Sequence, residues 1–220
     1  MTALRFLKSG VWLALAAAPA FAQFTSIATP ASAYTSSTTL IPIAAADFAT
    51  FSSLAGSGQT VTVSVPLQAQ TVPAIWSTWG SPPKTESSTP RVGWTTSTTA
   101  TLTLASPART FGVEIEPLNS ATYTVTVTFL NGSTTVGTIS QAVTGDSGAL
   151  LFAATSIPPI TSVVITSGAG SGGFALAQFR FALPPAITSV PAVSTTALCG
   201  LGMALLAGGA LLARRQGPAL

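Results

Sequence analysis

The 220-residue chain has no histidine, a single cysteine, and only eight Lys and Arg against five Asp and Glu. Without histidine there is no Ser-His-Asp arrangement, no imidazole general base and no His-ligated metal. The single cysteine, Cys199, sits in an apolar run near the C-terminus, so no intrachain disulfide forms and the rest of the chain has no thiol. Charge is scarce and unevenly placed. Between residues 23 and 189 stand Lys84, Arg91, Arg109 and Arg180 against Asp47, Glu86, Glu114, Glu116 and Asp146, four cations to five anions for a net −1. The sequence pI of about 9.6 therefore belongs to the two ends. No basic surface is left to hold nucleic acid, and no charge runs or internal repeats occur.

What the chain does have is two apolar ends. Residues 1–22 carry Arg5 and Lys8, an apolar run from Val11 to Ala18, and Ala20-Phe21-Ala22 before Gln23. This is the pattern of a secretory signal peptide cleaved after Ala22. Gln23 stands where a lipoprotein would need cysteine. At the other end, Ser194 to Ala213 is uncharged and ends at Arg214 and Arg215. That length matches the roughly 20 residues a helix needs to cross about 30 Å of hydrocarbon. The arginine pair would stay in the cytoplasm and leave residues 23–189 outside.

The tail also carries a family resemblance. Val190-Pro191-x-x-Ser194, an apolar span with Gly200-Leu201-Gly202, and the pair Arg214-Arg215 resemble the PEP-CTERM and IPTL-CTERM sorting tails. Ala192-Val193 fills the positions held by Glu-Pro in the first family and Thr-Leu in the second. The resemblance, over residues 190–216, implies an exported Gram-negative protein that an exosortase handles at the lipid membrane, in the company of exopolysaccharide and biofilm machinery.

Between the ends, the pattern is that of short strands. Phe24 to Thr39 reads as a flexible or extended lead with room for one early strand. Asp47 stands as an N-cap before Phe48, Phe51 and Leu54, whose spacing predicts one short helix ending at Gly56-Ser57-Gly58. From Val61 the period becomes two, with Val63 and Val65. Pro73 to Arg91 breaks it with prolines and two tryptophans, and Trp94 and Thr101 to Leu104 resume it. Phe111, Val113 and Ile115 point inward and Glu114 and Glu116 outward. Tyr123 to Phe129 alternates before Asn131-Gly132, the strongest short-range hairpin signal, since both residues tolerate positive φ. Val136 to Val143 returns, Gly145 to Gly148 turns, and Leu150 to Phe152 and Ile160 to Thr166 are strands. Phe174 to Leu183 closes the series, with a bulge near Ala177-Gln178 needed to place its aromatics together.

Many short strands and almost no helix predict an all-β protein, a jelly-roll-like β-sandwich over residues 23–189. Phe111-Gly112-x-Glu114-Ile115-Glu116-Pro117 and the strands after it resemble the body domain of PEP-CTERM-type proteins. That resemblance implies a jelly-roll sandwich similar to galactose-binding-type domains, and no chemistry.

The site inventory is short. Trp76, Trp79 and Trp94 are the candidate carbohydrate-binding residues, because aromatic faces stack on sugar rings and these lie on or beside an irregular loop. Glu114 and Glu116 share one strand face about 7 Å apart. A glycoside hydrolase would need such a pair across a cleft, but salt bridging to Arg180 or Arg109 is the preferred reading, with Arg180 on a neighbouring strand. Asp146, in a Gly-Asp-Ser-Gly turn, is a lone carboxylate and a poor calcium ligand set. No cofactor or metal is expected. The leading expectation is a non-catalytic surface or biofilm-matrix protein; exopolysaccharide binding comes second and glycoside hydrolysis last.

Overall fold

The structure, a computed structural model, describes residues 23–186. The expected signal peptide with Ala20 and Ala22, and the tail with Val190, Pro191, Ser194, Arg214 and Arg215, lie outside the described residues. Among those described, no helix is long and apolar enough to cross a membrane.

Ten strands and one helix follow in the order β1 (Gln23–Ile27), α1 (Ser32–Ser37), β2 (Thr39–Ile41), β3 (Thr50–Gly56), β4 (Gln59–Thr71), β5 (Arg91–Thr95), β6 (Thr99–Pro117), β7 (Thr122–Asn131), β8 (Thr134–Thr144), β9 (Leu150–Ser167) and β10 (Phe174–Ala182). The fold is all-β, a single sheet folded over into a β-sandwich-like arrangement. Three long strands make the fold-over. β6 and β9 stay paired along most of their length, but each changes its other neighbour partway. β6 pairs with β4 through Leu102 to Leu104 and with β10 through Thr110 to Pro117. β9 pairs with β1 through Ala153 to Ile157 and with β7 through Ser162 to Ser167. β4 leaves β6 after Val63 and pairs with β5 from Gln68.

Each change of partner falls at proline: Pro66 in β4, Pro107 in β6, and Pro158-Pro159 in β9. Proline cannot donate to a ladder, so it is tolerated where a strand is already leaving one partner for the next. Strands that switch sheets through bends of this kind make the corners of folded-over sheets. The inward faces of both halves then meet in one core. Val61, Leu102, Val127 and Ile165 from one half pack with Phe111, Ile115, Phe152 and Phe179 from the other.

Several expected features are present. Asn131 ends β7, and Gly132, at φ 59°, carries the turn into β8. The bulge in β10 is there too: its register against β6 shifts between Ala177 and Arg180, and Gln178 adopts φ 51°. Other features differ. The expected helix at Asp47 to Leu54 is strand β3, hairpinned to β4 through Ser57-Gly58. A register shift between Phe51 and Ser53 slips the alternation, so Phe51 and Leu54 reach the core three residues apart. That bulge imitates helical spacing. Asp47 does not cap a helix; its carboxylate pairs with Arg91 at 2.8 Å and accepts from Thr71. The helix lies instead in the lead, at Ser32–Ser37, where hydroxyls bond back to carbonyls three and four residues earlier, as Ser37 does to Ala33 at 2.7 Å. The expected strands at Leu150 and Ile160 are one strand, β9, bent at its prolines.

Candidate functional site

The side of β5, β6, β9 and β10 that faces away from the main core carries small residues: Gly112, Ala153, Ala175 and Ala177. A surface this shallow accepts a second layer. The loop from Val72 to Pro90 lies over one part, packing Val72 and Trp79 on Val92, Ala149, Ala175 and Ala177. Helix α1 lies over another, with Tyr34 on Leu151 and Ala153. A Cβ at Gly112 would collide with the Tyr34 hydroxyl, so the close approach requires glycine there.

Glu114 and Glu116 are on this covered face and both are fully buried. They do point away from the main core, as the alternation implied, but the loop takes the place of solvent. Trp79 Nε1 donates to Glu114 Oε2 at 3.0 Å, and the Glu86 N–H donates to Glu114 Oε1 at 2.5 Å. Trp76 Nε1 donates to Glu116 Oε2 at 2.8 Å. The other Glu116 oxygen accepts from the backbone N–H groups of Ser147 and Gly148, at 2.8 and 3.2 Å. Asp146 and Ser147 hold the left-handed conformation, at φ 59° and 77°, and the turn presents consecutive N–H groups to the carboxylate. Both carboxyls titrate high because burial disfavours the charged form. Glu114 is pushed up to about 7, its Trp79 and Glu86 hydrogen bonds offsetting part of the effect; Glu116 moves in the same direction.

The expected pairing of Arg180 with Glu114 or Glu116 is not formed. Arg180 makes a two-pronged ion pair with Glu86, Nε to Oε2 and Nη2 to Oε1, both at 2.6 Å. Its Nη1 donates to the carbonyls of Thr35 and Thr38. The β10 bulge re-aims Arg180 to this outer side, where the loop supplies Glu86 as a nearer partner. The two glutamates already have neutral donors.

The tryptophans fall into two groups. Trp79 is 3% exposed and serves as a plug, not as a ligand platform. Trp76 and Trp94 are half-buried, with ring centroids 6.3 Å apart and planes inclined by 40°. Trp76 lines a cleft of about 160 Å³ with Ser77, Thr78, Glu116 and the exposed Asp146. Trp94 lines a second cleft, about 230 Å³, with Gln68, Thr50 and Thr96. Trp94 Nε1 donates to Gln68 Oε1, which also accepts from Gln70 Nε2. Asp146 shares its cleft with one other carboxylate, and among the described residues no group of three or more acids, cysteines or histidines could hold a metal ion.

Sequence reasoning missed Glu86, Gln68, Gln70 and the Ser147-Gly148 donors. Two matched spacings were the available signal. Trp76-x-x-Trp79 in the loop answers Glu114-x-Glu116 in a strand whose other outward residue, Gly112, has no side chain.

The chain matches no protein-family model and no curated protein sequence. Among solved structures it is similar to the enzymatically active domain of tailspike protein 4 of bacteriophage CBA120, at 17% identity and a TM-score of 0.30, over 58% of this chain and 20% of that one. It is also similar to the family 11 carbohydrate-binding module of the cellulosomal cellulase Lic26A-Cel5E of Clostridium thermocellum, at 11% identity and a TM-score of 0.28, over 64% of this chain and 91% of that one. The chain thus spans a fifth of the tailspike domain's length. Likeness at this level bears on neither ligand nor chemistry.

Proposed function

We propose that this is a non-catalytic exported protein of the cell surface or biofilm matrix, with a jelly-roll-like body and a membrane tether at residues 190–216 that an exosortase recognises. The observation that supports a non-catalytic body is the use made of its carboxylates. Asp47 and Glu86 are in ion pairs. Glu114 and Glu116 accept indole and backbone N–H groups that fasten the loop and the 145–148 turn to the sheet. Carboxylates so occupied are poor nucleophiles and bases, and only Glu116 of the two reaches a cleft. Fractionation of cells producing the full chain, with mass spectrometry of its termini, tests the address. The expected result is a chain beginning at Gln23 in the membrane or extracellular-matrix fraction, with loss of matrix retention when Arg214 and Arg215 are replaced. A cytosolic chain retaining residues 1–22 contradicts it.

A second reading, binding of extracellular polysaccharide, is favoured by one observation: Trp76 and Trp94 are neighbours and each opens onto a polar cleft, the first lined by the Ser77 and Thr78 hydroxyls and Asp146, the second by the Thr50 and Thr96 hydroxyls and the Gln68 amide.

A further inference from the structure

We propose that Trp76, Trp94, Gln68 and Gln70 form a binding site for a soluble, neutral polysaccharide chain. The inference rests on the polysaccharide reading and gives it a site, a ligand class and a shape preference.

The first argument is arrangement. The two indoles are neighbours, each half-buried, and each lines a different cleft, so the clefts are bridged by aromatic surface. Pyranose rings present apolar C–H faces to indoles and hydroxyl edges to amides, and both surfaces are present here. Gln68 Oε1 accepts two hydrogen bonds, from Trp94 and from Gln70. This fixes both amides in place and leaves the Gln68 Nε2 group as a donor and the Gln70 Oε1 atom as an acceptor, free of other hydrogen bonds among the described residues. Such a pair suits adjacent hydroxyls, which each donate and accept. Preorganisation lowers the ordering cost of binding, and here the indoles are fixed through their own N–H groups, Trp76 by Glu116 and Trp94 by Gln68.

The second argument is charge. Neither cleft is lined by lysine or arginine, and the first exposes the Asp146 carboxylate. An acidic polysaccharide would meet repulsion without compensation. The third is shape. The 40° inclination between the rings does not offer a flat platform. A chain that twists between successive sugars can engage both indoles, whereas a crystalline sheet of parallel chains cannot.

The test uses the full chain, purified in mild detergent and run through native gels containing soluble β-glucan, xylan, galactomannan, dextran or alginate, with crystalline cellulose in a parallel sedimentation assay. The expected result is retardation by at least one neutral polymer, none by alginate, and no co-sedimentation with cellulose. Retardation should fall at least tenfold in apparent affinity for Trp94→Ala and for Gln68→Ala. Far-UV circular dichroism and melting curves establish that the variants fold; should Trp94→Ala not fold, Gln68→Ala, a truncation at a half-buried strand position, decides. Retardation unchanged in a folded Gln68→Ala variant overturns the site but leaves polysaccharide binding standing. Retardation by no polymer overturns both. Retardation by alginate alone, or sedimentation with cellulose, overturns the ligand class.

Discussion

The indole N–H of Trp79 donates to Glu114 at 3.0 Å across a seam in which both side chains are buried. Three residues earlier in the same loop, Trp76 does the same for Glu116 at 2.8 Å. The protein thus fastens a 19-residue irregular segment, Val72 to Pro90, to its sheet with two carboxylates that the sequence pattern assigns to salt bridges with Arg180 or Arg109.

Trp79→Phe keeps most of the packing volume and removes the N–H. Glu114 then loses a donor in a buried setting, which costs about 1–3 kcal/mol. Equilibrium urea unfolding reads this directly. Phe51→Tyr, outside the seam, serves as a comparison for the size of an unrelated aromatic change.

Glu114 also makes stability depend on pH, with a definite sign. Its carboxyl titrates at about 7 in the folded protein and near 4.5 when unfolded, because burial disfavours the charged form. Between those values the folded state retains a proton that the unfolded chain has released. Its stabilising contribution is therefore complete below pH 4.5, declines as pH rises, and is gone above 7. The loss is of the order of 3–4 kcal/mol at about 1.4 kcal/mol per unit. Glu86, Arg180 and Trp79 face the same carboxyl, and Glu116 shifts in the same direction. Unfolding at pH 5, 6, 7 and 8 should show stability falling, and Glu114→Gln should flatten much of the slope.

The Arg180–Glu86 pair ties β10 to the loop, with side chains 11% and 23% exposed. That burial lies between the surface regime of under 1 kcal/mol and the buried regime of several. A double-mutant cycle with Arg180→Met and Glu86→Gln should give a coupling of about 2 kcal/mol. The same cycle between Arg180 and Glu116 should give about zero, since those two make no contact.

Tyr34 illustrates the opposite case. Its hydroxyl is buried beside Gly112 and has no hydrogen-bond partner among the described residues. Removing an unsatisfied buried polar atom relieves its desolvation cost, so Tyr34→Phe should raise stability by about 1 kcal/mol. Gly112→Ala should lower it, because the added methyl meets that hydroxyl and Ala153. Thermal melts of both variants measure the contrast.

Much of the fold was legible because β-strand period and turn chemistry are local. Asn131-Gly132, the turn at Gly145 to Gly148 and the β10 bulge follow from a few adjacent residues. Two kinds of feature were not legible. A bulge between Phe51 and Ser53 gave a strand the spacing of a helix, and the Ser/Thr/Ala run at Ser32–Ser37 has no apolar period to reveal the helix it forms. The site failed for a different reason. Outward glutamates look solvated until something covers them, and Glu86, which claims Arg180, lies 94 residues away in a loop without periodicity. The tryptophan loop is legible as an irregular break in the strand pattern; which tryptophan it buries depends on the small residues of strands far along the chain.

The central claim is that Glu114 and Glu116 are structural fasteners for the loop. Hydrogen–deuterium exchange of the tryptophan indole N–H groups, followed by NMR on the full chain, tests it most directly. The account predicts slow exchange for Trp79 and Trp76, accelerated at Trp79 by Glu114→Ala and at Trp76 by Glu116→Ala. Fast exchange at both positions in the unaltered protein would contradict it.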